Sequence, residues 1–251
     1  MEIPKDLPIR SKDANFPFIS IITPTYNRRR FIPYCIEMYG EQTYKKDRME
    51  WIILDDGQDK VKDLFEEASK KYPNIRYYAL DEKQTIGTKR NILNDLATGE
   101  IIVAMDDDDY YPPERVAHVV GKFKNAPKVE LAGSTEIYMY YTDIKTIYKL
   151  GPYNPNHATN GTMAWRSSYA KKHRYDETVT HAEEKSFLEE YKHPMIQLDP
   201  MKVMLVMSHS ENTFDKKKLR NDENNPFVKK TSMKIKDFIK NTKLRGFFSN
   251  A

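Results

Sequence analysis

Two hydrophobic periods alternate through the first half of this 251-residue chain, and that alternation restricts the fold more than any other feature. "FPFISIIT" (16–23) is a short apolar, β-branched run, "RRRFIPYCIEMYG" after it has helical spacing, and "MEWIILDDG" (49–57) is a second buried strand ending in acid and glycine. The pattern then repeats. "VKDLFEEASKKY" (61–72) reads as helix, "IRYYAL" as strand, "GTKRNILNDLATG" (87–99) as a helix stopped by Gly99, and "EIIVAM" as strand. "PPERVAHVVGKFKN" follows as a helix with proline in its first turn. Strands alternating with helices imply an α/β protein whose mainly parallel central sheet is flanked by helices on both faces. In such sheets the ligand crevice lies beyond the carboxyl ends of the strands.

The second half has a different texture. Residues 129–150, "VELAGSTEIYMYYTDIKTIYKL", are rich in β-branched residues and tyrosine, which predicts antiparallel strands with a turn near Thr142 and Asp143. "GPYNPNHATN" (151–160) is a long loop, "GTMAWRS" a strand, "AEEKSFLEEYK" a helix and "KVMLVMS" (202–208) a last buried strand. From Asp215 onward the chain turns polar and basic, and "KKTSMKIKDFIKNTKLRGFF" has the spacing of an amphipathic helix.

Composition removes several classes of function. Hydrophobic residues at 39% and charged residues at 31% describe a somewhat polar globular protein, without an apolar run able to cross a bilayer. The start "MEIPKDLPIRSKDANF" lacks the apolar region of a signal peptide. A single cysteine, Cys35, forbids an internal disulfide and fits a reducing compartment, so the expected location is cytoplasmic. With 41 basic against 37 acidic residues, the balance is too even to indicate nucleic-acid binding.

Against that near balance, four aspartates, Asp106 to Asp109, stand side by side at the end of a buried strand. Two like charges ~6 Å apart at an effective dielectric near ~20 repel by about 3 kcal/mol, a cost that a cation relieves. The bland alternative is a solvated acidic loop. Along an extended strand end, Asp106 and Asp108 project to one side, Asp107 and Asp109 to the other, so an Asp-x-Asp pair can share one target. Carboxylates suit hard cations such as Mg²⁺ or Mn²⁺. A calcium loop of the EF-hand kind fails, because Tyr110, Tyr111 and Ala117 occupy positions needing an oxygen ligand, a glycine and a glutamate. An ATPase strand fails too, since the chain has no G-x-x-x-x-G-K-[ST] loop.

Other strand ends supply what a nucleotide needs. Tyr26 offers a flat face for a base, and Asp56 a carboxylate that can accept from a base N–H. "TIGTKRN" (85–91) adds Lys89 and Arg90 at a helix start, where the dipole also favours phosphate. Taken singly, each has an ordinary reading as a packing residue, a turn or a solvated first turn.

In this order the pieces resemble the family 2 glycosyltransferases, which have the Rossmann-like GT-A fold. The matching segments are "ISIITPTYNRRRFI", "WIILDDG", "GTKRN" and "ATGEIIVAMDDDDYYPPERV", followed by "GTMAWRSSYAKKHRYDE" and "HAEEKSFL" on a smaller antiparallel acceptor side. The resemblance implies an N-terminal extension (1–17), a GT-A domain (18–214) split into a nucleotide-sugar half (18–128) and an acceptor half (129–214), and a basic helical tail (215–251). Carried over by position, it implies that Pro24, Thr25 and Tyr26 line the base pocket and that Asp56 bonds the base. Gly87, Lys89 and Arg90 would approach the nucleotide or its diphosphate. Asp106, Asp107 and Asp108 would form the metal and sugar site, with Asp108 the direct ligand of Mn²⁺ or Mg²⁺ and His209 a further one. The catalytic base is expected in the acidic pair Glu183 and Glu184, at Glu184, where the family usually has Glu-Asp. Trp165, either core or a platform for a sugar, and His181 are the acceptor-side candidates.

The reaction so implied is metal-dependent, inverting transfer of a sugar from a nucleotide diphosphate, with UDP the expected carrier, to a hydroxyl on a glycan, protein or lipid. Two other classes fit parts of the pattern: a nucleotidyltransferase of similar fold, against which stands the lack of a glycine-rich loop after the first strand, and a catalytically silent sugar-nucleotide-binding module. In the tail, Met233, Ile235, Phe238 and Ile239 recur at helical spacing among lysines, which suits either a peripheral membrane contact or packing against the domain.

Overall fold

The computed structural model describes residues 16–179, 182–212, 216–221 and 225–251. Its first half follows the alternation: β1 (Ile19–Thr25), α1 (Ile32–Glu41), β2 (Met49–Asp55), α2 (Lys62–Ser69), β3 (Ile75–Ala79), α3 (Ile86–Leu96), β4 (Ile101–Ala104) and α4 (Arg115–Asn125). The second half is built of shorter pieces: β5 (Leu131–Gly133), β6 (Ile137–Tyr141), β7 (Thr146–Leu150), β8 (Ala164–Arg166), α5 (Ser167–Ala170), α6 (Glu184–Phe187), β9 (Met195–Gln197), α7 (Pro200–Val203) and β10 (Leu205–Ser208). After these come α8 (Lys217–Asn221), β11 (Val228–Lys230), α9 (Ile235–Phe238) and α10 (Thr242–Phe248).

Seven strands form the larger sheet, in the order β3-β2-β1-β4-β8-β5-β9. Pairing is parallel from β3 through β4 and again between β5 and β9, and β8 alone runs antiparallel to both of its neighbours. Because β1 and β2 are buried along their whole length, successive side chains feed two cores. Ile19, Ile21 and Ile53 pack with α1, α2 and α4 on one face, while Ile22, Ile52 and Leu54 pack with Leu93 and Leu96 of α3 on the other. Full burial of each such side chain contributes about 1.5–3 kcal/mol. The chain leaves β1 for β2 on one side, and β4 joins on the other, so the strand order reverses between β1 and β4. The crevice that this reversal opens at their carboxyl ends is where the acidic quartet begins.

A second sheet has the order β10-β6-β7-β11. The expected antiparallel pair in 129–150 is the hairpin β6–β7, turning through 142–145 with Lys145 at φ 48°. Its neighbour β5 departs from the expectation by joining the larger sheet. The strand predicted over 202–208 begins only at Leu205, because Asp199 caps a helical turn, accepting from the Met201 N–H at 3.0 Å with Pro200 at its first position. That strand is not the last, since β11 pairs with β7 after it.

Two predicted helices are cut short. The segment 182–192 holds one turn, α6, and then Glu189, Glu190 and Tyr191 stand at φ 46°, 60° and 61°, in the left-handed region, which reverses the chain. In the tail, α9 and α10 replace a continuous helix, and Phe238, Ile239, Leu244 and Phe248 are buried in the core shared with β1. Met233 and Ile235 pack against that same core, so packing accounts for the apolar stripe. Asn241 caps α10 while its amide donates to Glu37 and Glu41 of α1, and Phe247 stacks on Tyr34 at 3.6 Å. Among the described residues no helix is long and apolar enough to cross a membrane.

Candidate active site

Each side of the β1/β4 crevice is held by a turn whose hydrogen bonds are internal. Past β1, Asn27 adopts φ 53°, and its Oδ1 accepts from the Gln58 and Asp59 N–H groups, tying the turn after β1 to the turn after β2. Gly57 sits so close that a Cβ there would lie 2.6 Å from the Asn27 nitrogen, which is why this turn takes glycine. Pro24 and Thr25 are buried, whereas Tyr26 is partly exposed, with the Lys83 ammonium 4.4 Å from its ring centre. A flat, accessible face is therefore present at the edge.

Asp56 is held within the protein: its Oδ1 accepts from Lys89 Nζ at 2.7 Å in a buried pair and its Oδ2 from the Gln84 N–H at 2.8 Å in a part-buried bond. The pair also places the Lys89 charge 5.9 Å from the Tyr26 ring. Asp55, not singled out from sequence, binds the Gly57 and Val61 N–H groups and the Tyr77 hydroxyl and shapes the same turn.

Helix α3 begins at a Thr85 cap and buries Lys89 and Arg90 rather than presenting them to solvent. Gly87 faces the second half of the chain: a Cβ there would meet the Asp176 carbonyl oxygen at 2.2 Å, so its small size serves close packing. One turn later, the Asn91 amide donates to the Tyr175 carbonyl and Glu177 and accepts from the Tyr175 N–H. The segment bearing the acidic pair is thereby fixed against α3.

Arg90 is the centre of the site. Its Nε lies 2.8 Å from Glu183 Oε1, and its Nη1 lies 3.3 Å from Asp106 Oδ1. With its amide oriented to satisfy its neighbours, Asn160 accepts from Arg90 Nη1 at 2.7 Å and donates to the Tyr175 hydroxyl. Burial pulls the guanidinium down, but Asp106 and Glu183 together hold it above its ordinary value. Arg90 thus bridges two carboxylates, one from each side of the crevice.

Beyond Asp106 the chain bends, and the strand alternation expected for the quartet ends there. Asp107 and Asp108 both approach Arg28, at 3.8 and 3.6 Å, and Asp108 Oδ2 also lies 3.4 Å from His209 Nε2. Asp109 accepts from the Met207 N–H at 2.6 Å and so ties the quartet to β10. Burial and the Asp108 charge push Asp107 up to about 8, and burial with Asp108 against Lys216 pushes Asp109 to about 7. Burial acts on Asp108 in the same sense, but His209, Lys216 and Arg28 hold it well below the usual carboxylate range. One charged carboxylate therefore sits among neighbours that resist ionising. Cys35 is buried, with its Sγ 3.1 Å from the Asp107 carbonyl oxygen, and burial raises it well above its ordinary value.

In the acidic pair the two glutamates are unlike. Glu183 is buried on Arg90, whereas Glu184 is half-buried and makes no ion pair among the described residues. Burial, and then the neighbouring Glu183 charge, push Glu184 up to about 7. A carboxylate poised there can hold or release a proton near neutrality.

The fold thus brings Tyr26, Arg90, Asp106, Asp107, Asp108, Glu183, Glu184 and His209 to one edge. It leaves one predicted residue elsewhere. Trp165 is fully buried, its Nε1 donating to Asn94 at 3.0 Å, so it is core and not a platform for an acceptor. His181 lies outside the described residues. Sequence reasoning missed Arg28 and Asn212, which lie on the acids; the run "RRR" after β1 was the only signal for the first. The donor set fits a divalent cation, because Asp107 Oδ2 is buried without a partner among the described residues and an ionised Asp108 stands beside an imidazole.

Comparisons with known proteins agree with this geometry. A family model described as Glycosyl transferase family 2 matches residues 20–183. Glycosyltransferase AglE of Haloferax volcanii is 32% identical over 96 residues, covering 38% of this chain and 32% of that protein. A dolichyl N-acetyl-alpha-D-glucosaminyl phosphate 3-beta-D-2,3-diacetamido-2,3-dideoxy-beta-D-glucuronosyltransferase of Methanococcus voltae is 31% identical over 122 residues, covering 46% of this chain and 37% of that one. The chain therefore spans about a third of the length of these curated relatives. Among solved structures, the mannosyltransferase PcManGT from Pyrobaculum calidifontis, in complex with GDP-Man and Mn²⁺, superposes with a TM-score of 0.64 at 16% identity, over 83% of this chain and 62% of its own. TarS of S. aureus (residues 1–349) gives 0.63 at 18% identity, over 76% of this chain and 60% of its own. At such identities these likenesses bear on the fold, which is GT-A.

Proposed function

The chain belongs to glycosyl transferase family 2, and from that membership we propose that it moves a sugar from a nucleotide diphosphate donor to a hydroxyl acceptor, inverting the anomeric centre. The observation that carries the reading is Glu184, a half-buried carboxylate without a counter-ion among the described residues, pushed to about 7 and held beside an acidic edge by its neighbour's pair with Arg90. Complexes of structural neighbours with UDP-GlcNAc and with GDP-Man support a nucleotide sugar as donor. UDP is the carrier we favour.

In this reading the first half of the chain, residues 18–128, holds the donor, with Tyr26 stacking on the base and the Lys89–Asp56 pair fixing the turn beneath it. Asp108 and His209, with Asp106 and Asp107 beside them, would hold Mn²⁺ or Mg²⁺. A cation bound there supplies Lewis-acid neutralisation of the charge that develops on the leaving diphosphate. Arg28, already on Asp107 and Asp108, keeps the acids from repelling that diphosphate outright. Glu184 takes the acceptor proton as the hydroxyl oxygen bonds to the anomeric carbon and the bond from that carbon to the diphosphate oxygen breaks. Arg90 and Glu183 position this base and do not touch the reacting atoms.

A screen of UDP-, GDP- and TDP-sugars for Mn²⁺-dependent hydrolysis or thermal stabilisation tests the proposal. Turnover or stabilisation by one carrier supports it; no response to any nucleotide sugar with Mn²⁺ contradicts it.

A further inference from the structure

A second group of metal-ligating side chains lies apart from the acidic edge. His173, Glu189 and His193 each offer a ligand atom, and these atoms lie within 4.8 Å of one another. We propose that this triad is a zinc site whose ion staples together the two ends of the segment carrying Glu183 and Glu184. The zinc site itself does not depend on the transferase reading.

Glu189 Oε1 is 3.5 Å from His173 Nε2 and its other oxygen, Oε2, is 3.0 Å from His193 Nε2, so the carboxylate stands between the two imidazoles. Protein-bound zinc is four-coordinate. Two imidazoles and a carboxylate leave one position for water, a donor set that suits zinc better than an all-oxygen cation such as Mg²⁺.

The supporting contacts orient the ligands. His173 Nδ1 lies 3.0 Å from the Tyr169 carbonyl oxygen, so this nitrogen carries the proton and Nε2 turns its lone pair toward Glu189. The His173 ring stacks on Tyr169 at 3.9 Å, and the His193 ring meets the same tyrosine edge-on at 5.4 Å. Tyr169 is itself buried, its hydroxyl donating to the Phe187 carbonyl at 2.7 Å. Glu189 reaches the histidines from the first of three consecutive non-glycine residues in the left-handed region, a conformation costing of order 1–3 kcal/mol per residue that surrounding interactions must hold.

Position gives the site its consequence. His173 precedes the acidic pair and Glu189 follows it, so one ion closes the chain between them into a loop. The staple is a positioning device for Glu184.

The test is calorimetric titration of ZnCl₂ into metal-free full-length protein carrying Asp108→Asn, which disables the acidic edge as a competing site. The expected result is a saturable zinc site in that background, with a matching rise in Tm, weakened at least about tenfold by Glu189→Gln and by His173→Gln with His193→Gln. Should the double histidine variant fail to fold by circular dichroism, Glu189→Gln decides, since this exposed side chain can change without loss of packing. Absence of zinc binding in the Asp108→Asn protein, or affinity unchanged in the triad variants, overturns the proposal and leaves the triad as a cluster of ion pairs.

Discussion

Arg90 and Glu183 meet Nε to Oε1 at 2.8 Å, and this pair divides the acidic doublet into an anchor and an acid with no ion pair among the described residues. The same guanidinium reaches Asp106, so one buried cation ties the end of β4 to the start of α6. This tie adds to the contacts of Asn91 with Tyr175 and Glu177, which join the same two parts of the chain.

Arg90→Ala should therefore destabilise the fold by about 3–5 kcal/mol, because it leaves Asp106 and Glu183 without their shared partner. Urea unfolding monitored by circular dichroism measures this. A loss under about 1 kcal/mol would mean that the pair is not a structural tie.

The raised Glu184 makes two predictions of opposite direction with pH. As a base it works when deprotonated, so kcat/KM should rise with an apparent pKa of about 7. Its folded value lies above its ordinary 4.5, so the stability it contributes is present below that ordinary value and lost as pH rises through about 7. The Tm should thus fall between about pH 4.5 and about pH 7, and Glu184→Gln should flatten that fall. Identical Tm profiles for the two proteins would remove Glu184 as the titrating group.

Asp108→Asn should abolish the dependence of donor binding on Mn²⁺, since it removes the carboxylate held ionised among its neighbours. Isothermal titration with a UDP-sugar, with and without Mn²⁺, reads this directly. Equal gains from the metal in the variant and the parent would place the cation elsewhere.

In the tail, Ile239→Ala should cost about 2–5 kcal/mol, because Ile239 is fully buried in the main core. Thermal melts check it, and liposome pelleting of the unmutated chain should recover no protein through this stripe while it stays packed. A Tm unchanged by the substitution would mean that α9 does not dock on the domain in solution.

How much was legible beforehand depends on whether a feature is local. The alternation of periods reads out β1 to β4 with their helices because each strand is buried on both faces and each helix on one. The quartet's location followed from the same pattern. The pairing of Asp56 with Lys89 and of Arg90 with Glu183 was hidden, because it spans 33 and 93 residues of chain and depends on tertiary approach. The insertion of β8 between β4 and β5 was hidden for a similar reason, since three residues carry too little pattern to announce a neighbour. In the family-like segment "TGEIIVAMDDDD", the ends proved to have separate duties. Thr98 bonds Glu50 and the Gly99 N–H bonds Ser20 at the far end of the sheet, a structural network, and only the acids reach the crevice.

The most direct test of the account is the steady-state rate of sugar transfer by Glu184→Gln beside its donor affinity. The account predicts a rate about 10²–10⁴-fold lower with donor Kd in Mn²⁺ unchanged; transfer at the parental rate would contradict it.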